Sequence, residues 1–344
     1  MADADRFLRN AWYMAGWSAE VGEGLLRRRL LGDPVLLFRK QEGNVAALVD
    51  RCPHRFAPLS MGERDGDCVV CPYHGLTFDA DGICVRNPFA ETLPKGASVR
   101  SFPTLEQDGI VWFWPGEPAS AAGAAPPDFA MLFIAGHGGP ITGHVPMRAN
   151  YQYGTDNLMD LSHIEFVHKG SFAGRGVIFA GSHSVAEQGD TLHSDWWMPD
   201  VAAPPHTLGA YDPQMRCDHW LEMRWDPPAS MYLQIGACPR GAERDGGVIA
   251  HQAHILTPET ESTTHYFWAS TRTMPPSEAG DAMLYGLMTE AFTAEDKPII
   301  EAAYANLDGA DFWDMKPAFL GIDSGGTKAR RLLEKRIAQE RAGS

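Results

Sequence analysis

The amino-acid sequence predicts an α+β protein in which a small antiparallel β domain precedes a domain of mixed sheet and helix. Short β-rich runs separated by turn signals fill the first third of the chain. A segment rich in Pro, Gly, Ala and Ser follows, and after it strand patterns mix with amphipathic helices. With 344 residues, 44% of them hydrophobic, the chain has enough material for two buried cores.

The all-β domain is predicted over residues 1–114. Its β-rich runs are DPVLLFRK (33–40), NVAALVD (44–50), DGDCVVCP (65–72), LTFDADGICV (76–85) and IVWFWPG (110–116). Residues 115–128, PGEPASAAGAAPPD, are predicted to be a linker, because four prolines oppose the helix that the alanines alone would favour.

The second domain, residues 129–344, is predicted to combine an antiparallel meander with helices. The predicted meander strands are 229–237, 248–257 and 263–272. Helical spacing is present in 157–169, in 281–307, where Pro298 breaks or kinks the pattern, and in 327–340.

Charge and composition exclude several classes of partner. The formal net charge of −15 disfavours nucleic-acid binding, which needs clustered Lys and Arg. The amino-terminal MADADRFLRN has no apolar segment of the signal-peptide type, and no run approaches the roughly 18 apolar residues of a membrane span. Six cysteines are too sparse for a disulfide scaffold, so we expect a reducing, cytoplasmic location.

Two Cys/His pairs form the first candidate site. Cys52-x-His54 and Cys71-x-x-His74 supply two thiolates and two imidazoles. A zinc finger would place both cysteines in one arm, and unligated core residues would need other partners for the histidines. One thiolate and one imidazole in each arm instead suit a Rieske [2Fe–2S] cluster, whose inner iron takes the cysteines and whose outer iron takes the histidines.

The pattern C-x-H, sixteen residues, C-x-x-H, followed by GLTFDADGICVRNP, resembles the Rieske non-heme iron oxygenases. Within them the chain is most similar to the vanillate O-demethylase and dicamba monooxygenase group, from AWYMAGWSAEV to the terminal helix. The resemblance implies an N-terminal Rieske [2Fe–2S] domain and a helix-grip catalytic domain. It also implies a mononuclear non-heme Fe(II) and O₂ as cosubstrate.

The run NLMDLSHIEFVH carries the second candidate site. His163 and His168 are five residues apart, a step that rotates about 140° on a regular helix, so they reach one metal only if the helix ends or distorts between them. By resemblance to the family pattern they are the iron ligands, and Asp296 in FTAEDKPIIEA is the third ligand. Glu295 and Glu301 are rival carboxylates for that position.

Two further residues receive roles from the resemblance. Asp160 lies three residues before His163 and could orient an imidazole. The family pattern implies that Asp160 bridges His163 to His74 of a neighbouring protomer in a head-to-tail homotrimer, and that it has a catalytic role in electron transfer. Asn157, one turn earlier, is expected at the edge of the iron site.

Three positions resemble substrate contacts of the dicamba-type enzymes. Gln234 and His254 lie in predicted meander strands, and Leu287 lies in the following helix. Gln234 departs from the pattern in residue type, and Leu287 stands where a tryptophan is expected. For Gln234, a cross-strand polar contact without a ligand is an equal alternative.

The resemblance implies a terminal oxygenase component that oxidises an aromatic substrate with O₂ and electrons from a ferredoxin or a flavin/[2Fe–2S] reductase. The expected reaction is O-demethylation of a vanillate-like methoxy-aromatic acid with release of formaldehyde. Methyl-group hydroxylation of an aromatic acid or sulfonate is the alternative within this class, and ring dihydroxylation fits the pattern less well. A Rieske electron carrier without oxygenase activity and a zinc-stabilised binding module are the rivals from other classes.

Overall fold

The computed structural model describes residues 6–133, 138–169 and 176–343. Residues 1–5, which belong to the amino-terminal segment predicted to lack a signal peptide, lie outside the described residues. The described chain divides into two compact units. The first comprises the described part of Met1–Pro126 with Thr257–Glu261 and the end of the last helix, and the second comprises the described part of Pro127–Leu256 with Ser262–Ala338. None of the described helices is both long and apolar enough to cross a membrane.

The first unit is built from three small antiparallel sheets. Its strands are β1 (Tyr13–Trp17), β2 (Leu26–Leu30), β3 (Asp33–Arg39), β4 (Val45–Val49), β5 (Glu63–Asp65), β6 (Cys68–Val70), β7 (Thr77–Phe78), β8 (Cys84–Arg86), β9 (Ser101–Phe102), β10 (Thr104–Gln107) and β11 (Ile110–Phe113). The sheet orders are β1-β11-β10, β2-β3-β4-β9 and β5-β6-β7-β8. The described part of the first predicted domain is therefore all-β, apart from 3₁₀ turns at Ser18–Glu20 and Leu59–Met61. One helical turn, α1 (Pro118–Ala121), lies inside the predicted linker.

Turn chemistry sets the hairpins of this unit. Asp108 and Gly109, with φ of 55° and 71°, form the two-residue loop between β10 and β11, as an Asp-Gly pair in a type I′ turn requires. The β-rich run 76–85 forms a hairpin of β7 and the start of β8. The Asp79 carboxylate accepts the backbone N–H groups of Asp81 and Ile83 at 3.0 and 2.8 Å, and it thereby stabilises the turn.

The second unit contains one seven-stranded antiparallel sheet with helices. Its strands are β12 (Ile141–Met147), β13 (Ser182–Gln188), β14 (Thr191–Ala202), β15 (Arg216–Asp226), β16 (Ser230–Pro239), β17 (Val248–Pro258) and β18 (Thr264–Ser270), in the order β12-β18-β17-β16-β15-β14-β13. Its helices are α2 (Tyr151–Met159), α3 (Ile164–Val167), α4 (Glu278–Thr289), α5 (Lys297–Ala305) and α6 (Ser324–Gly343), with a π-helix at Glu290–Asp296. The three predicted meander strands correspond to β16, β17 and β18.

Helices cover one face of this sheet. Along β14 and β15 buried residues alternate with more exposed ones, as expected for a sheet with one covered face. On the covered face the Ser194 hydroxyl donates to the Met159 carbonyl of α2 at 2.8 Å, and the Gln252 amide approaches the Met288 sulfur of α4 at 3.7 Å. This arrangement confirms the predicted helix-grip architecture.

Two helical predictions differ from the structure in ways that matter for the site. The run 157–169 is not one helix: α2 ends at Met159, a 3₁₀ turn spans Leu161–His163, and α3 ends before His168. The run 281–307 is helical as far as Ala305, but a π-helix separates α4 from α5. Pro298 does not break the helix there, because it lies in the first turn of α5, where no backbone N–H is needed.

Candidate metal centres

The two Cys/His loops of the first unit have the same backbone geometry. The Cys52 N–H bonds the Ala57 carbonyl at 2.9 Å, and the Phe56 N–H returns to the Cys52 carbonyl at 2.9 Å. The second loop repeats both bonds five and four residues after Cys71, at 2.8 and 3.0 Å. The residue four positions after each cysteine has a positive φ, 60° at Phe56 and 70° at Gly75. Two equivalent turns therefore present equivalent side chains.

The four side chains converge. Cys52 and Cys71 are buried in the core of the unit, and the imidazoles of His54 and His74 have ring centroids 4.6 Å apart. Burial raises the pKa of the Cys52 thiol to about 11; the neighbouring Cys71 also raises it, while the backbone N–H groups of His54 and Arg55 oppose the rise. Both thiols therefore share one pocket lined with N–H donors.

The burial and hydrogen bonding of these four residues fit an iron–sulfur cluster. The Nδ1 atom of His74 is buried, and it has no hydrogen-bond partner among the described residues. An unsatisfied buried ring nitrogen beside two buried thiols is costly unless it ligates a metal. One sulfur and one nitrogen from each of two matched turns form the Cys₂His₂ set of a Rieske centre.

The segment that follows helix α2 carries two residues of the second candidate site. After α2 ends at Met159, a 3₁₀ turn ends at His163 and the short α3 ends at Val167. Because no single regular helix runs from one histidine to the other, His163 and His168 lie with ring centroids 5.2 Å apart. Asp296 of the π-helix lies between them, with its carboxylate 3.5 Å from His163 Nε2 and 3.3 Å from His168 Nε2. One ligand atom from each of the three residues lies within 4.8 Å of the others. Two imidazoles and one carboxylate are the donor types of the facial set that holds mononuclear Fe(II) in oxygenases, and these three residues could supply it.

The burial of this set affects its protonation. Burial lowers the pKa of His163 more than the Asp296 charge raises it. Burial also lowers the pKa of His168, but the hydrogen bonds and charges of Asp296 and Glu295 outweigh it and raise the pKa. Three ionisable side chains held this close, with two of them buried, could hold a metal ion.

Asn157 lies at the edge of this set. Its side-chain nitrogen is 3.3 Å from Asp296 Oδ1 and 3.4 Å from His163 Nε2. The amide therefore donates to the carboxylate and limits its rotation. α2 is capped at its start by Asn150, whose side chain accepts the Gln152 N–H at 3.0 Å.

The rival carboxylates have other partners. Glu295 Oε2 is 2.9 Å from His168 Nδ1, on the far side of the imidazole from Asp296. Glu301 accepts the Arg148 backbone N–H at 2.7 Å and pairs with its guanidinium at 3.1 Å. The geometry therefore places Asp296, and neither rival, between the two imidazoles.

Asp160 touches this site through its backbone. Its carbonyl oxygen is 2.6 Å from His163 Nδ1, so that nitrogen donates its proton to the main chain. The Asp160 carboxylate instead accepts the Ser162 N–H at 3.0 Å and caps the 3₁₀ turn. The sequence indicated that the carboxylate could orient His163 or an imidazole of another chain; within this chain it is the Asp160 carbonyl that contacts His163.

A buried polar network lies next to the ligands. His254 on β17 is 1% exposed; its Nδ1 is 2.8 Å from the Tyr266 hydroxyl and its Nε2 is 3.2 Å from Gln252 Oε1. Because the Gln252 oxygen can only accept, Nε2 carries the proton and the tyrosine donates to Nδ1. Burial lowers the pKa of His254 to about 4, against the opposing charge of Asp296. The network is thus neutral near pH 7, and the Phe292 ring packs 5.4 Å from His254.

The structure does not bring Gln234 to this network. Gln234 accepts the Trp220 indole N–H at 3.2 Å, on the opposite face of the sheet. The adjacent Leu233 pairs directly with Gln252, so Leu233 lies on the ligand side of β16, as does Met231, which pairs with His254. Leu287 is half-buried on α4, and the residue next to it, Met288, is the one that contacts Gln252. Sequence reasoning missed Leu233, Gln252, Tyr266, Met288 and Phe292, although strand alternation from His254 could have indicated Gln252.

Two families match this chain, one in each half. Residues 11–103 match the Rieske [2Fe-2S] domain, and these residues include both Cys/His loops. Residues 147–339 match the vanillate O-demethylase oxygenase C-terminal domain, which includes the two histidines and Asp296.

Similar proteins are matched along nearly their whole length. The chain is 37% identical to the oxygenase component of chloroacetanilide N-alkylformylase from Rhizorhabdus wittichii, over 97% of each chain. It is 36% identical to the oxygenase component of dicamba O-demethylase from Stenotrophomonas maltophilia, over 96% of this chain and 97% of that one. A crystal structure of dicamba monooxygenase bound to dicamba superposes with a TM-score of 0.89 at 34% identity, covering 98% of this chain and 99% of that one.

Proposed function

The chain belongs to the Rieske non-heme iron oxygenases of the vanillate O-demethylase and dicamba monooxygenase group, and on this premise we propose that it demethylates a methoxy-aromatic acid. As a member of that family it is the oxygenase component of a Rieske monooxygenase, with a [2Fe–2S] cluster, a mononuclear iron and O₂ as cosubstrate. When bound, the two metal groups supply electrons and O₂ activation. The proposal rests on one observation above all, the convergence of His163, His168 and Asp296 beside a buried neutral network.

The reaction balances with one O₂, two electrons and two protons. Oxidation of the methoxy carbon gives a hemiacetal and water, and the hemiacetal collapses to a phenol and formaldehyde. The electrons come from a reductase or ferredoxin, as in the other oxygenases of this family. The protein must therefore hold the methoxy carbon at the iron and exclude bulk water.

The side chains around the ligands suit an aromatic ring. Phe292, Tyr266 and Trp268 pack with ring centroids 5.4 to 5.7 Å apart beside His254. Such a wall favours an aromatic substrate in an offset or edge-on arrangement. The Nε2–H of His254 and the Tyr266 hydroxyl are polar groups beside these rings, and either could exchange its internal partner for a substrate oxygen.

We further propose a head-to-tail homotrimer in which His74 of one protomer lies against Asp160 of the next. His54 and His74 line an open cleft of about 510 Å³ together with Phe89 and Lys95. Phe89 is 77% exposed and Phe56, in the first cluster loop, is 71% exposed. An apolar surface of this kind beside the cluster ligands supports an interface with a second copy of the chain.

All six cysteines are free, which supports the proposal of a cytoplasmic location.

The test is a substrate panel with reduced holoenzyme, its reductase and O₂. The panel contains methoxybenzoates, methylbenzoates, arenesulfonates and a chloroacetanilide, with formaldehyde, phenol and oxygen uptake measured together. We expect formaldehyde and phenol in equal amounts from a methoxybenzoate, with matching oxygen uptake. A benzylic alcohol from a methylarene, without turnover of any methoxyarene, would replace the proposal with methyl hydroxylation. No oxygen uptake with any member would favour the electron carrier.

A further inference from the structure

One imidazole is held between two consecutive carboxylates. Glu295 Oε2 lies 2.9 Å from His168 Nδ1, and Asp296 Oδ2 lies 3.3 Å from His168 Nε2. Both carboxylates come from the π-helix Glu290–Asp296, whose wider turn changes the direction of side chains relative to a regular α-helix. Neighbours in sequence thus reach opposite nitrogens of the same ring.

The hydrogen bond to Glu295 determines which nitrogen of His168 can bind a metal. A carboxylate only accepts, so Nδ1 must carry the proton that it shares with Glu295. The lone pair of Nε2 then points towards Asp296 and the common point of the three ligands. His163 differs, because its Nδ1–H donates to the neutral carbonyl of Asp160.

Glu295 is largely buried at this contact. Its side chain is 12% exposed, and Lys297, two residues on, approaches Glu301 instead, at 3.9 Å. A buried carboxylate is costly unless it is paired or accepts hydrogen bonds. Together with Asp296 it brings two negative charges to a site for a divalent cation.

We propose that Glu295 is a positioning residue for the mononuclear metal. It fixes the tautomer and ring orientation of His168 and makes the lone pair of Nε2 a stronger ligand for the metal. Carboxylate–histidine–metal arrangements act in this way, and loss of the carboxylate lowers metal affinity by about 10- to 100-fold. The proposal rests on the assignment of His163, His168 and Asp296 as ligands. It adds a residue that does not touch the metal.

The test measures metal binding directly, with Co²⁺ as the probe. Holoenzyme is stripped of its mononuclear iron while the cluster is retained, which its visible absorption verifies. Co²⁺ affinity and the Co²⁺ ligand-field bands are then measured for wild type and for Glu295→Ala, Glu295→Gln, Glu290→Gln and His168→Ala. Glu290 is the matched control, because it lies in the same π-helix and is exposed.

We expect Glu295→Ala to weaken Co²⁺ binding by about 10- to 100-fold and to shift the ligand-field bands. Glu295→Gln should recover part of the affinity, since its amide oxygen still accepts the Nδ1–H, and Glu290→Gln should match wild type. Wild-type affinity and bands in Glu295→Ala would overturn the proposal. Wild-type affinity in His168→Ala would instead overturn the ligand assignment beneath it, and thermal unfolding of each cobalt-free variant shows whether a loss is due to misfolding.

Discussion

Replacement of Asp160 by asparagine tests the proposed electron path with little structural change. Asp160 contacts the site through its carbonyl, 2.6 Å from His163 Nδ1, and asparagine keeps that carbonyl. Its side chain also caps the 3₁₀ turn by accepting the Ser162 N–H at 3.0 Å, a bond that the asparagine oxygen can also accept. The variant therefore loses one negative charge and keeps the fold and both metal sites.

The expected magnitude follows from what the charge contributes. In the proposed trimer the Asp160 carboxylate accepts a hydrogen bond from His74 of the neighbouring protomer. The neutral asparagine side chain either accepts that hydrogen bond more weakly through its oxygen or presents its N–H groups in place of the acceptor. A hydrogen bond to a charged group contributes about 1.5–3 kcal/mol. If the path depends on that bond, turnover falls about 10- to 150-fold, because each 1.36 kcal/mol is a factor of ten in rate.

The assay is a single turnover of the reduced enzyme with substrate and O₂, followed by reoxidation of the cluster in stopped flow. Asp160→Asn should keep full iron and sulfide content while reoxidation slows by the stated factor. Asp190→Asn, at a side chain that is 92% exposed, is the charge-matched control. Unchanged reoxidation in Asp160→Asn would refute the role of this carboxylate.

Two further predictions concern the scaffold. Arg330 on α6 pairs with Asp156 on α2 at 2.6 Å, and its guanidinium lies 4.0 Å from the centroid of the Phe312 ring. Arg330→Met should therefore lower the free energy of unfolding, measured in denaturant, by about 3 kcal/mol, and adding Asp156→Asn should restore part of that loss. An unchanged free energy of unfolding in Arg330→Met would contradict the role of the pair. Burial lowers the pKa of His219 to about 4, while its bond to the Gly236 carbonyl opposes this. The unfolded chain then binds a proton that the folded chain does not, and the free energy of unfolding falls by about 1.5 kcal/mol from pH 6.5 to 5. The fall should be smaller in His219→Gln, and an equal fall in both proteins would contradict this origin.

The sequence was most informative where chemistry depends on short spacing. The two Cys/His loops could be predicted because their residue types and spacings are set by the ligands of one cluster. A break in the helix between His163 and His168 could be anticipated as a condition, since five residues on a regular helix would direct the imidazoles apart. The positions of the breaks could not be read from the spacing: α2 ends at Met159, whose carbonyl accepts the Ser194 hydroxyl, and α3 ends at Val167.

The substrate positions could not be predicted as well, because a strand changes face at every residue. A displacement of one position along β16 moves the assignment from Leu233, on the ligand side, to Gln234, on the other side. The choice of Asp296 over Glu295 has a similar cause. The π-helix that separates their roles has no marker in composition, and only resemblance indicated Asp296.

The most direct test of the whole account is the metal and sulfide content of the protein purified without oxygen. The two sites predict about three iron atoms and two acid-labile sulfides per chain, together with a Rieske-type electron paramagnetic resonance signal after reduction. Protein that contains zinc without sulfide, or that gives no such signal when reduced, would contradict the assignment of Cys52, His54, Cys71 and His74 to a cluster.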